Sequence, residues 1–333
     1  MKVQKSSKEH LHDLFTNPWY KVLFDTFSAI ISYTHEFYKQ KGLSPILFPI
    51  TTGSISSPMG EGSDSLPVQI EIKGNKVFLA DSMQFSLEVG TRLAEKGCYY
   101  IMPSFRGEEV DERHLNEFFH SEAEIRGNLD DVMQLVTEYI LFLADNFLKN
   151  NQKELKMFTD TSHIAELVKY PTRHFSKITY AEALKMLSGI EKAINIDEYG
   201  NKIITKYGEK SLIAKYGEFC WLTELPAKIV PFYQASKEDD AQIAKAADLL
   251  AGIGEVVGCG ERCEKADELY NSLQYHNIPI DGYQWYYDMK KLFPIQTAGF
   301  GMGIERFILW LLNHDDIRDC MLLIRNHRQI NFP

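Results

Sequence analysis

The stretch AGFGMGIERFILWLL, residues 298–312, sets glycines at alternate positions, Gly299, Gly301 and Gly303, directly before the pair Glu305–Arg306 and a dense apolar run. A period of two marks one face of a strand. Glycine along such a face lets a ligand lie against the backbone with no side chain in the way. The apolar run reads as a buried helix with Arg306 in its first turn, where backbone N–H groups already favour an anion. A lone Gly-x-Gly-x-Gly is compatible with many sites, and its spacing is not that of the dinucleotide-binding fingerprint. Its meaning depends on what precedes it.

Two charged segments do. FRGEEVDERHLNEFFHSEAEIRG, 105–127, follows the apolar strand CYYIMPSF, 98–105, and has the character of a hairpin. It carries Arg106, then Arg113 and His114, then Phe118. Guanidinium groups fork onto phosphate oxygens, and an aromatic ring stacks on a base. Composition alone favours the plainer alternative of a solvated charged hairpin. ADLLAGIGEVVGCGERCEK, 247–265, reads as strand, turn, strand, with Asp248 and Glu255 seven apart on the flanking strands or a turn. Magnesium takes hard oxygen ligands of this kind, usually one or two carboxylates plus phosphate oxygens, although surface strands carry carboxylates routinely. Gly254, Gly258 and Gly260 suggest a backbone that something approaches closely.

Outward from these segments the chain of 333 residues, 44 % hydrophobic and 25 % charged, has the balance of a globular protein with a sizeable core. Its net charge of −10 excludes a general nucleic-acid coat but leaves room for a local basic pocket. Five scattered cysteines form neither a disulfide framework nor a zinc knuckle. The N-terminus has no apolar block suited to a signal peptide and no segment is apolar for long enough to cross a membrane, which points to a cytoplasmic protein. Residues 1–17 are polar and read as a loose arm. Helices are predicted over 22–42, 82–97 and 130–150, a strand over 44–50 and a hairpin over 68–80. The loop TTGSISSPMGEGSDSLP, 51–67, is long enough to be a lid.

Taken in order, the segments resemble the signature of class II aminoacyl-tRNA synthetases: FRGEEVDERHLNEF is similar to the second motif of that class and GFGMGIER to the third. The Arg-x-Glu opening, the Arg–His–Leu-x-Glu–Phe ending and GEVVGCGER are similar to the asparaginyl branch and to the truncated archaeal asparagine synthetase related to it. PMGEGSD, DSMQFSLE and TAGFGMGIER fit that truncated relative. The resemblance runs from about residue 18 to the C-terminus.

It implies an α+β fold, a central mostly antiparallel sheet flanked by helices, forming one catalytic domain over 18–333 with no anticodon-binding domain. It implies ATP and Mg2+ as cofactors. Arg106 matches the arginine on the α-phosphate and Glu108 a neighbouring nucleotide contact. Arg113 and His114 match contacts to the outer phosphates, and Phe118 the ring under adenine. Gly301 and Gly303 match the floor of the nucleotide site, and Arg306 the arginine at the γ-phosphate or over the base. Asp248 and Glu255 match the magnesium-holding acids. Ser82, Gln84, Glu88 and Arg262 match residues that receive the amino acid. Leu87 stands where aspartate-specific members carry lysine, Glu88 is like the asparaginyl enzymes, and Thr297 replaces a histidine of the family. The implied reaction is formation of an aminoacyl-adenylate.

The first reading is transfer of activated aspartate, or an analogue, to ammonia or another amine, asparagine-synthetase-like. The alternative is asparaginyl-tRNA-synthetase-like aminoacylation of tRNA or another acceptor, which the net charge does not favour. A non-catalytic regulatory paralogue ranks last, because the arginines and acids are all present. A homodimer is expected, joined through residues 22–50.

Overall fold

The computed structural model describes residues 7–57, 60–61, 63, 65–169 and 174–330. The strands are β1 (Ser44–Pro45), β2 (Thr51–Thr52), β3 (Val68–Ile72), β4 (Asn75–Leu79), β5 (Gly97–Phe105), β6 (Glu117–Arg126), β7 (Ser176–Thr179), β8 (Ile194–Ile196), β9 (Lys202–Ile204), β10 (Cys220–Thr223), β11 (Ala246–Ala251), β12 (Gly254–Glu261), β13 (Thr297–Gly303), β14 (Arg325–Asn326) and β15 (Gln329–Ile330). Eight of them form one sheet in the order β1-β5-β6-β13-β12-β11-β10-β7. Every pairing from β5 to β10 is antiparallel, and parallel pairs occur only at the two edges. The α+β expectation is met.

The helices are α1 (Ser7–Thr16), α2 (Pro18–Lys41), α3 (Gln84–Leu93), α4 (Leu129–Asn150), α5 (Gln152–Leu155), α6 (Ser162–Val168), α7 (Tyr180–Leu187), α8 (Lys206–Tyr216), α9 (Ala266–Tyr275), α10 (Gln284–Leu292) and α11 (Ile304–Leu311). Among the described residues none is long and apolar enough to cross a membrane. α2 starts at the N-cap Asn17, whose side chain accepts from Trp19 N, and stops at Gly42 in the left-handed conformation. α4 begins with a capping box in which Asn128 and Asp131 satisfy each other's free N–H groups. One face of the sheet packs on α2, α4 and α11 around Leu23, Ile30, Val136, Leu143, Phe147, Phe300 and Phe307. Polar groups inside that layer are paired. The Thr34 hydroxyl meets Tyr139 OH at 2.6 Å, and Tyr139 and Tyr38 both reach Ser121 Oγ on β6. This ties both long helices to the strand that carries the charged segment.

Three sequence expectations are corrected. Residues 7–16 form a helix rather than a loose arm, because His10 is buried and its ring meets Leu322 O at 2.9 Å, an anchor far away in sequence. The strand expected over 44–50 shrinks to Ser44–Pro45: Ile46 N still donates to Tyr99 O, but Ile46 and Leu47 lie exposed, and Ile50 O accepts instead from Ala80 N. The helix expected over 82–97 is Gln84–Leu93. The loop 51–67 is pinned in several places. Ser56 Oγ donates to both Asp81 oxygens at 2.9 Å, Tyr283 OH donates to Ile55 O, and Lys228 pairs with Glu61 at 3.0 Å. Pro58, Met59, Gly62 and Asp64 of the PMGEGSD motif lie outside the described residues.

Two stability outcomes follow from this packing. Leu143→Ala should lower stability by about 2–5 kcal/mol, against about 1 kcal/mol for the cap change Asn128→Ala, read as shifts in urea midpoint. Glu305 at the start of α11 is buried and accepts from Phe119 N at 3.1 Å on both oxygens. Burial pushes its carboxyl up to about 7, despite the hydrogen bond from Phe119. A raised folded pKa means that its contribution to stability is present below about pH 4.5 and is lost as pH rises through about 7. Urea midpoints measured at both ends of that interval should fall for the wild type, and the fall should shrink in Glu305→Gln.

Candidate active site

The glycines of β13 face the other side of the sheet from the core. Ala298, Phe300 and Met302 point into the packed layer, while Gly299, Gly301 and Gly303 line the open face. In register across the sheet Gly299 pairs with Glu124 and Gly260, Gly301 with Glu122 and Gly258, and Gly303 with His120. The three central strands therefore carry a trough with almost no side chains on its floor. At Gly299 an added Cβ would collide with the Glu124 carboxylate, and at Gly260 with the Gln234 amide. Glycine is required there because neighbouring side chains lie across the backbone.

One end of the trough is a pocket walled by arginines. Arg106 stands at the end of β5 and Arg113 in the following loop, with Arg306 in the first turn of α11. The Arg306 guanidinium donates to Glu255 O at 2.8 Å and lies 3.7 Å from the Glu255 carboxylate. Arg113 pairs with Glu209 of α8 at 2.7 Å, and His114 with Asp111 at 2.9 Å. Arg106 is not within ion-pair distance of a carboxylate among the described residues. Its Nε is buried without a hydrogen-bond partner and its guanidinium lies 5.5 Å from the centre of the Phe118 ring. Glu108 is buried beside it and accepts from Leu66 N. The pocket thus gathers Arg106, Glu108, Arg113, His114, Phe118, Glu255, Gly301, Gly303 and Arg306 from three separate stretches of chain. Each of these was named from sequence.

Asp248 and Glu255 stand on either side of Gly258. A Cβ at that glycine would lie 3.6 Å from Asp248 Oδ1 and 3.1 Å from Glu255 Oε1, so both oxygens reach over the same open point. Burial, then the charges of Glu255 and Glu209, push the Asp248 carboxyl well up. That crowding of negative charge is what a divalent cation would relieve. Among the described residues no three His, Cys, Asp or Glu side chains form a metal-holding group. Two carboxylates fit a magnesium ion that completes its shell with phosphate oxygens and water.

The other end of the trough is smaller and more buried. Ser82 Oγ donates to Glu122 Oε2 at 2.7 Å, and Tyr100 OH donates to the same oxygen. Burial raises the Glu122 carboxyl, but hydrogen bonds and charge from His120, with Tyr100 and Ser82, more than offset this and hold it below the usual range. Gln84 Nε2 is buried with no partner among the described residues. Arg262 forks onto Glu124 at 3.0–3.1 Å and donates to Gln234 at 2.9 Å. Burial pushes the Glu124 carboxyl up, against the pull of Arg262. Thr297 lies buried behind this pair, its carbonyl accepting from Arg262 N.

Glu88 is placed differently from its expected role. It is fully buried and held by Tyr286 OH and Lys290 Nζ, each at 2.5 Å. It supports the pocket at one remove rather than offering a free carboxylate. Leu87 packs with Ala80, Met83, Cys98, Tyr100 and Met102, so no cation enters the site from that position. The sequence reading did not single out Glu122, Glu124, His120, Glu209, Gln234 or Lys290. The first three were legible: in FFHSEAEIRG, residues 118–127, every second residue from Phe118 to Glu124 falls on the trough face.

Comparison with known proteins places this geometry. The family described as tRNA synthetases class II (D, K and N) matches residues 2–327. An asparagine–tRNA ligase of Alkaliphilus metalliredigens is 30 % identical over 321 residues, covering 90 % of this chain and 69 % of the relative. That of Thermoplasma acidophilum is 28 % identical, covering 91 % and 68 %. A probable cytoplasmic asparagine–tRNA ligase of Encephalitozoon cuniculi is 30 % identical, covering 83 % and 62 %. The chain therefore spans about two thirds of the length of the curated relatives it matches. The crystal structure of asparaginyl-tRNA synthetase from Pyrococcus horikoshii complexed with asparaginyl-adenylate superposes with a TM-score of 0.86 at 25 % identity, covering 97 % of this chain and 72 % of that one. By sequence over nearly its whole length and by fold, the chain belongs to the class II tRNA synthetases of the D, K and N group.

Proposed function

We propose that the chain activates asparagine with ATP as asparaginyl-adenylate and passes the asparaginyl group to a hydroxyl acceptor, as an asparagine–tRNA ligase does. The observation that carries this reading is the Glu124–Arg262 pair at the buried end of the trough. An arginine already neutralised by a carboxylate offers one donor edge and one acceptor edge but little net charge. That suits a side-chain amide, whose NH2 donates to Glu124 while its oxygen accepts from Arg262. A free aspartate carboxylate would meet Glu124 as a like charge, and Leu87 supplies no compensating cation. The named relatives are tRNA ligases, which favours aminoacylation over the transfer to ammonia first read from the sequence.

The substrate ammonium is met by Glu122, with Ser82 and the free Gln84 amide beside it. The α-carboxylate then points along the trough toward Arg106. Asp81, next to Ser82, feels the charge of Arg106, and so does Arg306 in the nucleotide pocket. Arg106 therefore stands where the two substrates meet. There it receives the charge that builds on the α-phosphate as the carboxylate oxygen attacks phosphorus and pyrophosphate leaves. Arg113 and Arg306 lie further out, with His114, toward the leaving pyrophosphate, and the Phe118 ring offers its face to adenine. Asp248 and Glu255 would hold magnesium, which supplies charge neutralisation and orientation to the phosphates when bound. Positioning and electrostatics, more than proton transfer, carry this half-reaction.

The assembly we propose is a homodimer. Phe24 and Ile31 of α2 and Leu47 beyond β1 are exposed on the side expected to pair, and Phe119 joins them next to the glycine strand. Light scattering should give a dimer, and Phe24→Asp combined with Ile31→Glu should give a monomer; an unchanged mass would remove the interface from these residues. Asparagine-dependent ATP–pyrophosphate exchange tests the activity, and exchange with aspartate but not asparagine would contradict it. Arg106→Ala should reduce exchange by about 10²–10³-fold with a near-native melting temperature. Glu124→Gln should shift the asparagine-to-aspartate ratio of kcat/KM toward aspartate by at least about tenfold, a change of ~1.4 kcal/mol.

A further inference from the structure

His120 has no part in the scheme so far, yet it stands at the junction of the two pockets. It belongs to β6 between Phe118, which faces the nucleotide end, and Glu122, which faces the amino-acid end. Across the strand pair it is opposite Gly303, so no side chain covers it from β13. Its Nδ1 lies 2.8 Å from Ser104 Oγ and 3.0 Å from Glu122 Oε1. A carboxylate at that distance excludes the tautomer with a lone pair on Nδ1, since two acceptors would then face each other. Nδ1 therefore carries a proton, and in the neutral ring Nε2 carries the lone pair. Nε2 has no protein partner among the described residues, and the ring forms part of the pocket wall. The Phe118 ring stands edge-on to the imidazole at 4.8 Å between centres, which restricts how it can turn.

This is the arrangement of a general base: an imidazole held by a carboxylate at one nitrogen and open at the other. Adenylate formation has no use for it, because the attacking carboxylate has no proton to lose. The second half-reaction does. We propose that His120 is the general base of acyl transfer. The acceptor hydroxyl oxygen attacks the asparaginyl carbonyl, and its proton passes to His120 Nε2. The new C–O ester bond forms, the bond from the carbonyl carbon to the phosphate oxygen breaks, and AMP leaves with that electron pair. Glu122, which receives the substrate ammonium, also orients the base, so a correctly seated amino acid and a correctly aimed imidazole depend on one carboxylate. Glu122 meets the ring directly, and the other ionisable groups lining the same pocket are Arg106, Glu108, Arg113, His114, Glu255, Glu305 and Arg306.

The proposal rests on the adenylate reading, and the two are separable. Enzyme carrying pre-formed radiolabelled asparaginyl-adenylate is mixed with water alone, with unfractionated tRNA or with hydroxylamine, and discharge is followed in single turnovers. Exchange is measured alongside. His120→Asn keeps a donor at the position of Nδ1 but has no base. His120→Gln places a non-basic nitrogen near Nε2. For both, discharge to water and to tRNA should fall by about 10²-fold, at least tenfold more than the loss in exchange or in discharge to hydroxylamine, whose free amine needs no base. In the wild type discharge should slow as pH falls through the imidazole range, and both variants should lose that dependence. Equal losses in all four rates would mean that His120 only holds Glu122 in place, and an unaltered pH profile would exclude it as the base. Either result overturns the proposal. Absence of asparagine-dependent exchange in the wild type would instead defeat the adenylate reading and remove the substrate on which His120 acts.

Discussion

The structure depends on keeping side chains off one face of β12 and β13. An antiparallel sheet commonly packs one face on the core and turns the other to solvent, but its strands carry side chains on both. Here one face packs on α2, α4 and α11 in the ordinary way. On the other face Gly258, Gly260, Gly299, Gly301 and Gly303 leave the middle of the sheet bare. The bareness is not emptiness, because Glu124 and Gln234 lie across the glycines they would otherwise strike. Glycine weakens a strand interior by giving up packing and chain entropy. The neighbouring strands β6 and β11, which carry ordinary residues, hold the glycine pair between them.

Charge is sorted along that trough. At the outer end stand Arg106, Arg113 and Arg306; Arg113 pairs with Glu209 and Arg306 lies beside Glu255, while Arg106 has no acid within ion-pair distance among the described residues. At the inner end Glu88, Glu122 and Glu124 are buried, Glu88 against Lys290, Glu124 against Arg262 and Glu122 against His120. A polyanion is drawn to one end and an ammonium to the other. Each charge is held on a strand or a helix start, so little reorganisation is needed when substrates arrive. Buried carboxylates cost stability unless they are paired; here Lys290 meets Glu88 and Arg262 meets Glu124, while Glu122 accepts hydrogen bonds from Ser82 and Tyr100.

Much of this was legible in the residues. The period-two glycines, the Arg106 segment and the Asp248–Glu255 pair each fixed an element and its open face. What bound them together was their order, since no local rule brings Arg106 and Arg306, two hundred residues apart in sequence, to one pocket. Glu88 was misjudged because its partner Lys290 comes from a helix that nothing in DSMQFSLE announces. The helix at 7–16 was hidden because its anchor, Leu322, lies at the far end of the chain. Glu122, Glu124 and His120 were within reach of the same alternation that exposed the glycines, had it been applied to β6 as well as to β13.

The central claim is that a ligand lies on bare backbone at the end of β13, and Gly303 allows a direct test. A Cβ there would meet only the Arg306 side chain, at 3.7 Å, which is ordinary contact, and its φ of −69° suits any residue. Gly303→Val should therefore fold with a near-native melting temperature while filling the floor of the nucleotide pocket. Calorimetric titration with ATP and magnesium should show binding to the wild type and a loss of at least about tenfold in affinity for the variant, ~1.4 kcal/mol. Binding of ATP to Gly303→Val with wild-type affinity would contradict the account.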